Sequence, residues 1–209
     1  VLDKAVLVLR AVAASPRSLA ELQADSGLPR ATAHRMAVAL EGHGLLRRDG
    51  AGRFCLGLEL VALGRAAAEQ LPLVESARAA LVDLRDRTGE SVQLYVRDGT
   101  DSRRCVLSLQ SPHGLRWIVP EGALLPLAVG SAGRALTAPP AGAGWVASVE
   151  EREPGVASVS AAVLGPDGTP VGALSVSGPV ERLTRQPGRR FGAEVVAAAR
   201  AVEAAIAAR

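Results

Sequence analysis

What most narrows the fold of this chain is the punctuation between residues 15 and 44, where stop and start signals for three helices follow one another closely. Residues 2–13 place apolar side chains at positions 2, 5, 6, 9 and 12, the spacing of one buried helix face. Ser15-Pro16 ends that run. Ser18-Leu19-Ala20-Glu21 is a capping box, in which the serine accepts from an orphan N–H of the first turn and the glutamate reaches back. The pattern predicts a short second helix from there to about residue 25, stopped by Gly27. Pro29 is tolerated in a first helical turn and opens a third helix, which His43-Gly44 ends. Two helices joined by a tight glycine-containing turn outline a helix-turn-helix. Residues 45–48 and 53–56 are short extended runs around Asp49-Gly50-Ala51-Gly52, whose composition suits a hairpin loop. The head is therefore expected to be a winged helix-turn-helix.

On the third helix Ala33, Met36, Ala37 and Leu40 fall on one side at about 100° per residue, which turns Ala31, His34, Arg35 and Val38 outward. Arg30 and Thr32 flank that face near its start. A recognition helix presents its N-terminal residues to the major groove, where arginine forks onto guanine and small side chains approach thymine methyls or phosphates. The expected DNA-contacting set is Arg30, Ala31, Thr32, His34 and Arg35, with Arg47, Arg48 and Arg53 of the wing laid over the backbone to fix register. Charge distribution agrees: residues 1–57 carry eight basic and five acidic side chains and the remainder sixteen of each, so the whole net charge of +3 is N-terminal. The alternative is a solvated face on a ligand-binding or protein-docking module that does not bind DNA specifically.

Residues 58–70 are helical in composition and end at Leu71-Pro72, so they read as a linker helix between a head at residues 1–57 and a second domain at residues 71–209. In that domain residues 77–88 are amphipathic and end at Gly89. Extended runs follow at residues 92–96, 105–109, 116–119, 157–164 and 171–176, the last two separated by the turn Gly165-Pro166-Asp167-Gly168, and residues 189–208 return to helix. This order predicts an α+β domain with an antiparallel sheet covered on one side. A pocket is its expected working part. Gly130-Ser131-Ala132-Gly133 follows an apolar extended stretch and opens an alanine-rich helical one, so its backbone N–H groups suit a small anion such as a carboxylate. The alternative is that these small residues only allow close packing of helix on sheet. Ser175 and Ser177 alternate along one strand and share a face. Trp117 is a candidate pocket wall, core residue or dimer contact, His113 a loop residue, and Cys55 and Cys105 small buried hydrophobes.

Several strings carry a family resemblance. Leu2-Asp3-Lys4-Ala5, Leu28-Pro29-Arg30-Ala31-Thr32-Ala33-His34-Arg35 and Arg53-Phe54-Cys55-Leu56-Gly57 resemble the winged domains of the IclR family of bacterial transcriptional regulators. Pro126-Leu127-Ala128-Val129-Gly130-Ser131-Ala132-Gly133-Arg134-Ala135-Leu136 and Ala173-Leu174-Ser175-Val176-Ser177-Gly178-Pro179 resemble that family's two effector-domain signatures, so the likeness covers nearly the whole chain. Glu151-Arg152-Glu153-Pro154-Gly155-Val156-Ala157-Ser158-Val159-Ser160 is similar to actinobacterial members that regulate leucine biosynthesis and other amino-acid metabolism.

The resemblance implies a GAF-like effector domain whose cavity is lined by Gly130, Ser131, Ala132, Gly133, Ser175 and Ser177. It implies as partners double-stranded DNA with a pseudo-palindromic operator, a small-molecule effector such as an amino acid or carboxylic acid, and a second copy of the chain. Family members form homodimers and often dimers of dimers. In one respect the chain departs from the pattern: residues 138–144 join the Gly-Ser-Ala-Gly helix almost directly to the next strand, where family members carry several helical turns.

Other classes of function find little support. Of the three histidines, His34 and His43 lie in the head, so no Ser-His-Asp set assembles in the second domain. There is no GxSxG, HExxH, Walker A or strand-linked GxGxxG, and Glu150, Glu151 and Glu153 before a Pro-Gly turn read as solvated surface. No enzyme, cofactor or metal site is expected. Two distant cysteines without a CxxC exclude a disulfide framework. No run approaches the ~20 apolar residues of a membrane span and no signal pattern opens the chain, so a cytoplasmic protein without a membrane partner is expected.

Overall fold

The computed structural model describes residues 1–138 and 142–208. These form two compact units, Val1–Gln70 and Leu71–Arg209. The first contains α1 (Leu2–Ala14), α2 (Leu19–Ser26), α3 (Arg30–Gly42), β1 (Leu46–Arg48), β2 (Phe54–Leu56) and α4 (Glu59–Glu69). The capping box is complete: the Ser18 N–H donates to Glu21 Oε2 at 2.7 Å and the Glu21 N–H to Ser18 Oγ at 3.3 Å. That backbone hydrogen bond from Ser18 holds the Glu21 carboxyl below the usual range. Gly27, at φ 67°, ends α2 in the left-handed conformation that glycine adopts without a steric cost.

The core of this unit joins Val8 and Val12 of α1, Leu22 of α2, Ala37 and Leu40 of α3, Leu46 of β1 and Phe54 of β2. Burying each of these large side chains stabilises the unit by roughly 1.5–3 kcal/mol. β1 and β2 pair antiparallel with Arg48 opposite Phe54, and Arg17 exchanges both backbone hydrogen bonds with Phe54, tying the segment before α2 to the wing. Gly57 closes the wing against Gly44, where a Cβ would collide with the Gly44 carbonyl.

The second unit runs α5 (Pro72–Thr88), β3 (Ser91–Asp98), β4 (Ser102–Leu109), β5 (Leu124–Pro126), α6 (Ser131–Thr137), β6 (Val146–Val149), β7 (Val156–Leu164), β8 (Pro170–Pro179), α7 (Val180–Leu183) and α8 (Pro187–Ala207). Its strands form one antiparallel sheet in the order β5-β4-β3-β8-β7-β6. Alternation along the strands sends Val92, Leu94, Val159, Leu174 and Val176 to one face, where they pack on Leu81 and Leu84 of α5 and Val195 and Val202 of α8. Trp145 lies so close to α8 that a Cβ on Gly188 or Gly192 would overlap its indole. The opposite face carries Tyr95, Cys105 and Ala173, packed against Ala132, Ala135 and Leu136 of α6 and against Leu127.

The expected single-sided sheet is thus corrected to one covered on both faces. The second cover is α6 with the segment before it, only seven helical residues long and hard to recognise as a layer. α5 begins at Pro72 rather than near residue 77, because Pro72 stands in the first turn and Val74 and Ala77 continue the buried stripe of Leu81 and Leu84. Residues 116–119 are not a strand: of the four only Val119 is buried, and Arg116 bends the chain by donating to Gln110 Oε1 and to the carbonyls of His113 and Gly114. Pairing with β4 is made instead by β5. β5, β6 and α7 have three or four residues each, too few to show a period in the sequence. In the short connection at 138–144, residues 139–141 lie outside the described residues.

Candidate functional site

Each unit presents its own candidate site. On α3 the buried positions are Ala33, Ala37 and Leu40, which leaves Ala31, His34 and Arg35 exposed on the other side, with Arg30 exposed and Thr32 half-buried at the helix start. Among the described residues Arg30, Arg35 and Arg47 form no ion pair. The other two wing arginines are held. Arg48 stacks on Phe54, 4.1 Å from the ring centroid, and pairs with Glu41 at 3.2 Å; Arg53 pairs with Asp49 at 2.9 Å. Asp49 in turn accepts the N–H groups of Ala51 and Arg53, and the Arg53 N–H is the main cause of its lowered pKa. Exposed pairs of this kind contribute about 0–1 kcal/mol, so they shape the wing and cost little to break. Cys55 is buried and pairs only weakly, through its thiol, with the Arg47 carbonyl at 3.5 Å.

In the second unit the strand register assembles a polar strip on the face opposite α5 and α8. Ser175 lies opposite Gln93 of β3 and Ser160 of β7, and Ser177 opposite Ser91 and Ser158. All these residues except the half-buried Ser158 are buried. Ser131, the first residue of α6, is within 2.7 Å of the Ser158 hydroxyl and 2.8 Å of the Ser160 hydroxyl, while Ser177 donates to Gln93 Oε1 at 2.8 Å. Ser175 and Ser177 line a small, partly open cavity together with Gly130, Ser131 and Ala132. Gly133 lies outside that lining. A Cβ there would collide with the Leu127 carbonyl, so its absence lets α6 approach the preceding segment. The start of α6 is met by the chain's own Glu151, which accepts the Gly130 N–H at 3.2 Å and is gripped by Arg134 at 2.5 and 2.9 Å.

The cavity also brings in residues that sequence reasoning passed over: Tyr95, Arg103 and Arg152, with Ser148, Glu153 and Ser158. Trp117 forms one wall, with the Arg152 guanidinium 5.3 Å from its ring centroid. Burial pushes the Tyr95 hydroxyl pKa well up, and it pushes the neighbouring Cys105 thiol up to about 12, so that thiol stays protonated and packs as a hydrophobe. One signal was in the sequence: Ser-Val-Ser occurs at residues 158–160 and again at 175–177, and the two triplets lie side by side in the sheet. His113 stays in its loop, away from the cavity lining. Among the described residues no three His, Cys, Asp or Glu side chains converge as metal ligands, and no helix is long and apolar enough to cross a membrane.

Comparison with known proteins agrees with this division. Residues 1–50 match the IclR helix-turn-helix domain and residues 141–204 the bacterial transcriptional regulator IclR C-terminal domain. The glycerol operon regulatory protein of Streptomyces coelicolor is 30% identical, over 95% of this chain and 91% of its own. The transcriptional repressor IclR of Escherichia coli is 25% identical, over 88% and 81%. Among solved structures, the IclR homolog of Microbacterium hydrocarbonoxydans complexed with 4-hydroxybenzoate superposes with a TM-score of 0.83 at 20% identity, covering 100% of this chain and 99% of that one. The matched families and relatives are transcriptional regulators, not enzymes. On these grounds the chain belongs to the IclR family, as a DNA-binding transcriptional regulator with a C-terminal effector domain.

Proposed function

We propose that α3 enters the major groove of a pseudo-palindromic operator through Arg30, Ala31, Thr32, His34 and Arg35, while Arg47, Arg48 and Arg53 fix the register on the backbone. A small carboxylic acid or amino acid, bound at Gly130, Ser131, Ala132, Ser175 and Ser177 with Gly133 seating α6 behind them, modulates that binding. The observation that carries this reading is the pairing, in one chain, of an exposed cationic helix face with a buried, hydroxyl-lined cavity. On this reading residues 1–57 are the DNA-binding domain, 58–70 the linker helix and 71–209 the effector domain, at work in the cytoplasm. The ligand changes operator affinity only as far as it binds the DNA-bound and free arrangements differently.

A carboxylate ligand is supported by the arginines of the cavity and by the 4-hydroxybenzoate bound in the Microbacterium homolog. Control of leucine biosynthesis or other amino-acid metabolism rests on the likeness of residues 151–160 to actinobacterial regulators. A homodimer, extended in some assemblies to a dimer of dimers, is supported by α1 and α4. Val6 and Leu7 of α1 and Val61 and Leu63 of α4 are exposed, and none of the side chains described on α4 is buried. Two-fold symmetry then sets half-sites about one helical turn apart. The test is retention of sheared host genomic DNA by the purified protein at about physiological salt with non-specific competitor, followed by sequencing. Recovery of a few palindromic sites is expected. Absence of any enrichment, with and without a pool of amino acids and organic acids, overturns the reading in favour of a docking module.

A further inference from the structure

Arg103, on β4, is only 2% exposed, yet its guanidinium makes its hydrogen bonds and ring contact with neutral groups. Its Nη1 donates to the carbonyls of Pro126 and Val129, its Cζ lies 5.4 Å from the Tyr95 ring centroid, and its buried Nε has no partner. Arg152 lines the same cavity, interacting with the Tyr95 hydroxyl and the face of Trp117. Neither arginine forms an ion pair among the described residues. The two are close enough for the charge on Arg152 to oppose that on Arg103, adding to the effect of burial. A second deficit lies behind the lining residue Ser177: Gln93 is fully buried, its Oε1 accepts from Ser177, and its Nε2 has no acceptor.

Buried cations are ordinarily paired and buried donors ordinarily find acceptors, because an uncompensated charge or N–H loses its hydration for nothing in return. Both deficits here have one sign: what is missing is negative charge and acceptor oxygen. The hydroxyls of the lining offer acceptor oxygen, but the lining supplies little negative charge. Its one carboxylate, Glu153, is exposed, and nearby Glu151 is committed to Arg134. A zwitterionic amino acid would bring an ammonium group into a site that already holds two unpaired guanidiniums.

We propose that the cavity takes a compact dianion whose two ionised oxygen-acid groups, carboxylate or phosphate, engage Arg103 and Arg152, in preference to a zwitterionic amino acid. This rests on the reading of the cavity as the effector site and specifies its ligand. The serine hydroxyls of α6 and β8 then complete the hydrogen bonds of the anion, and the open side of the cavity beside Arg152 and Glu153 is its entry.

Thermal unfolding of the full chain at constant ionic strength near neutral pH tests this, with succinate, inorganic phosphate, pyruvate and L-alanine as probes. A saturable rise of the midpoint with succinate or phosphate is expected, a smaller one with pyruvate and none with L-alanine. The larger response, to succinate or to phosphate, names the acid group. Arg152→Gln should raise the half-saturating concentration about tenfold or more, the loss of one charge-assisted contact. Arg103→Gln should do the same, but it also releases the carbonyls before α6; Arg152→Gln keeps the test independent of that. An equal or larger response to L-alanine, no response to any probe, or an unchanged response in Arg152→Gln overturns the proposal. Genomic DNA retention by the same preparation separates the two readings. Operator binding that responds to amino acids alone removes the dianion and leaves regulation standing, whereas failure to retain any operator removes the regulatory reading, whatever the probes do.

Discussion

In the first unit the residues of interest stand outside the core, whereas in the second they are part of it. Arg30, Ala31, His34 and Arg35 are exposed on one side of α3 while the other side holds Ala33, Ala37 and Leu40 in the interior. Ser131, Ser160, Ser175, Ser177, Gln93 and Arg103 are all buried, and the hydrogen bonds of Ser131 with Ser160 and of Arg103 with the carbonyls of Pro126 and Val129 help to seat α6 and the segment before it on the sheet. The head can therefore exchange its functional residues without refolding. The cavity cannot, because polar side chains that line it, Ser131 and Arg103 among them, also hold α6 and the segment before it in place.

The largest expected effect breaks one unit and leaves the other alone. Phe54 is 1% exposed, anchors β2 in the core and carries Arg48 on its ring. Phe54→Ala should cost about 3–5 kcal/mol. Calorimetry should show the head transition moved down and that of residues 71–209 in place; a common downward shift of both would show that the units unfold as one. Next in size is Arg35→Ala. It removes an exposed, unpaired side chain, so the thermal midpoint should hold while operator affinity falls by about 1–3 kcal/mol, the worth of one bidentate base contact. Unchanged affinity for the selected operator would remove Arg35 from direct readout.

The same contrast explains what was legible in the sequence. The head could be read because its signals are local: Ser18 caps a helix three residues from Glu21, Gly27 and Pro29 punctuate one turn, and the α3 face follows from its 3.6-residue period. The cavity depends on register between strands far apart in the chain. Ser175 and Ser177 could be placed on one face from alternation alone, but Gln93 reaches them only because β3 pairs with β8 across more than eighty residues. Arg103 stands two residues before the extended run expected at 105–109, and nothing around it in the sequence marks it as buried. Its burial is decided by α6 and the carbonyls of Pro126 and Val129, which no local pattern announces. Residues 116–119 failed in the other direction, having strand-like composition without a neighbouring edge to pair with.

A medium effect tests whether stability and ligand response are joined in the cavity. Ser175→Ala with Ser177→Ala deletes two buried hydroxyls and leaves Gln93 Oε1 without the donor it has in Ser177. The expected cost is about 1–3 kcal/mol in the transition of the second unit, the penalty of an unsatisfied buried acceptor. Operator binding should persist and its response to ligand should disappear. A full ligand response in the double variant would place the effector elsewhere in the molecule.

The smallest effect is electrostatic and belongs to the start of α6. Glu151 accepts from the Gly130 N–H and from Arg134, and the Arg134 hydrogen bond is the main cause that holds its pKa below the ordinary value. A carboxyl with a folded pKa below its unfolded one stabilises the fold above the unfolded value, about 4.3, and that contribution disappears as pH falls through the folded pKa. Both side chains of the pair are more than one third exposed, so solvent screens most of the gain. Glu151→Gln should therefore lower the midpoint of the second unit slightly near neutral pH, and the gap to the unsubstituted chain should close as pH is taken below about 4. Asp49→Asn is the counterpart in the head, where the wing carboxyl is also held low, by the Arg53 N–H. Its gap should close over a similar range in the other transition. A gap that stays constant with pH in either variant would mean that the carboxylate acts there through shape and hydrogen bonding alone, and that its charge adds nothing to the turn or helix start it holds.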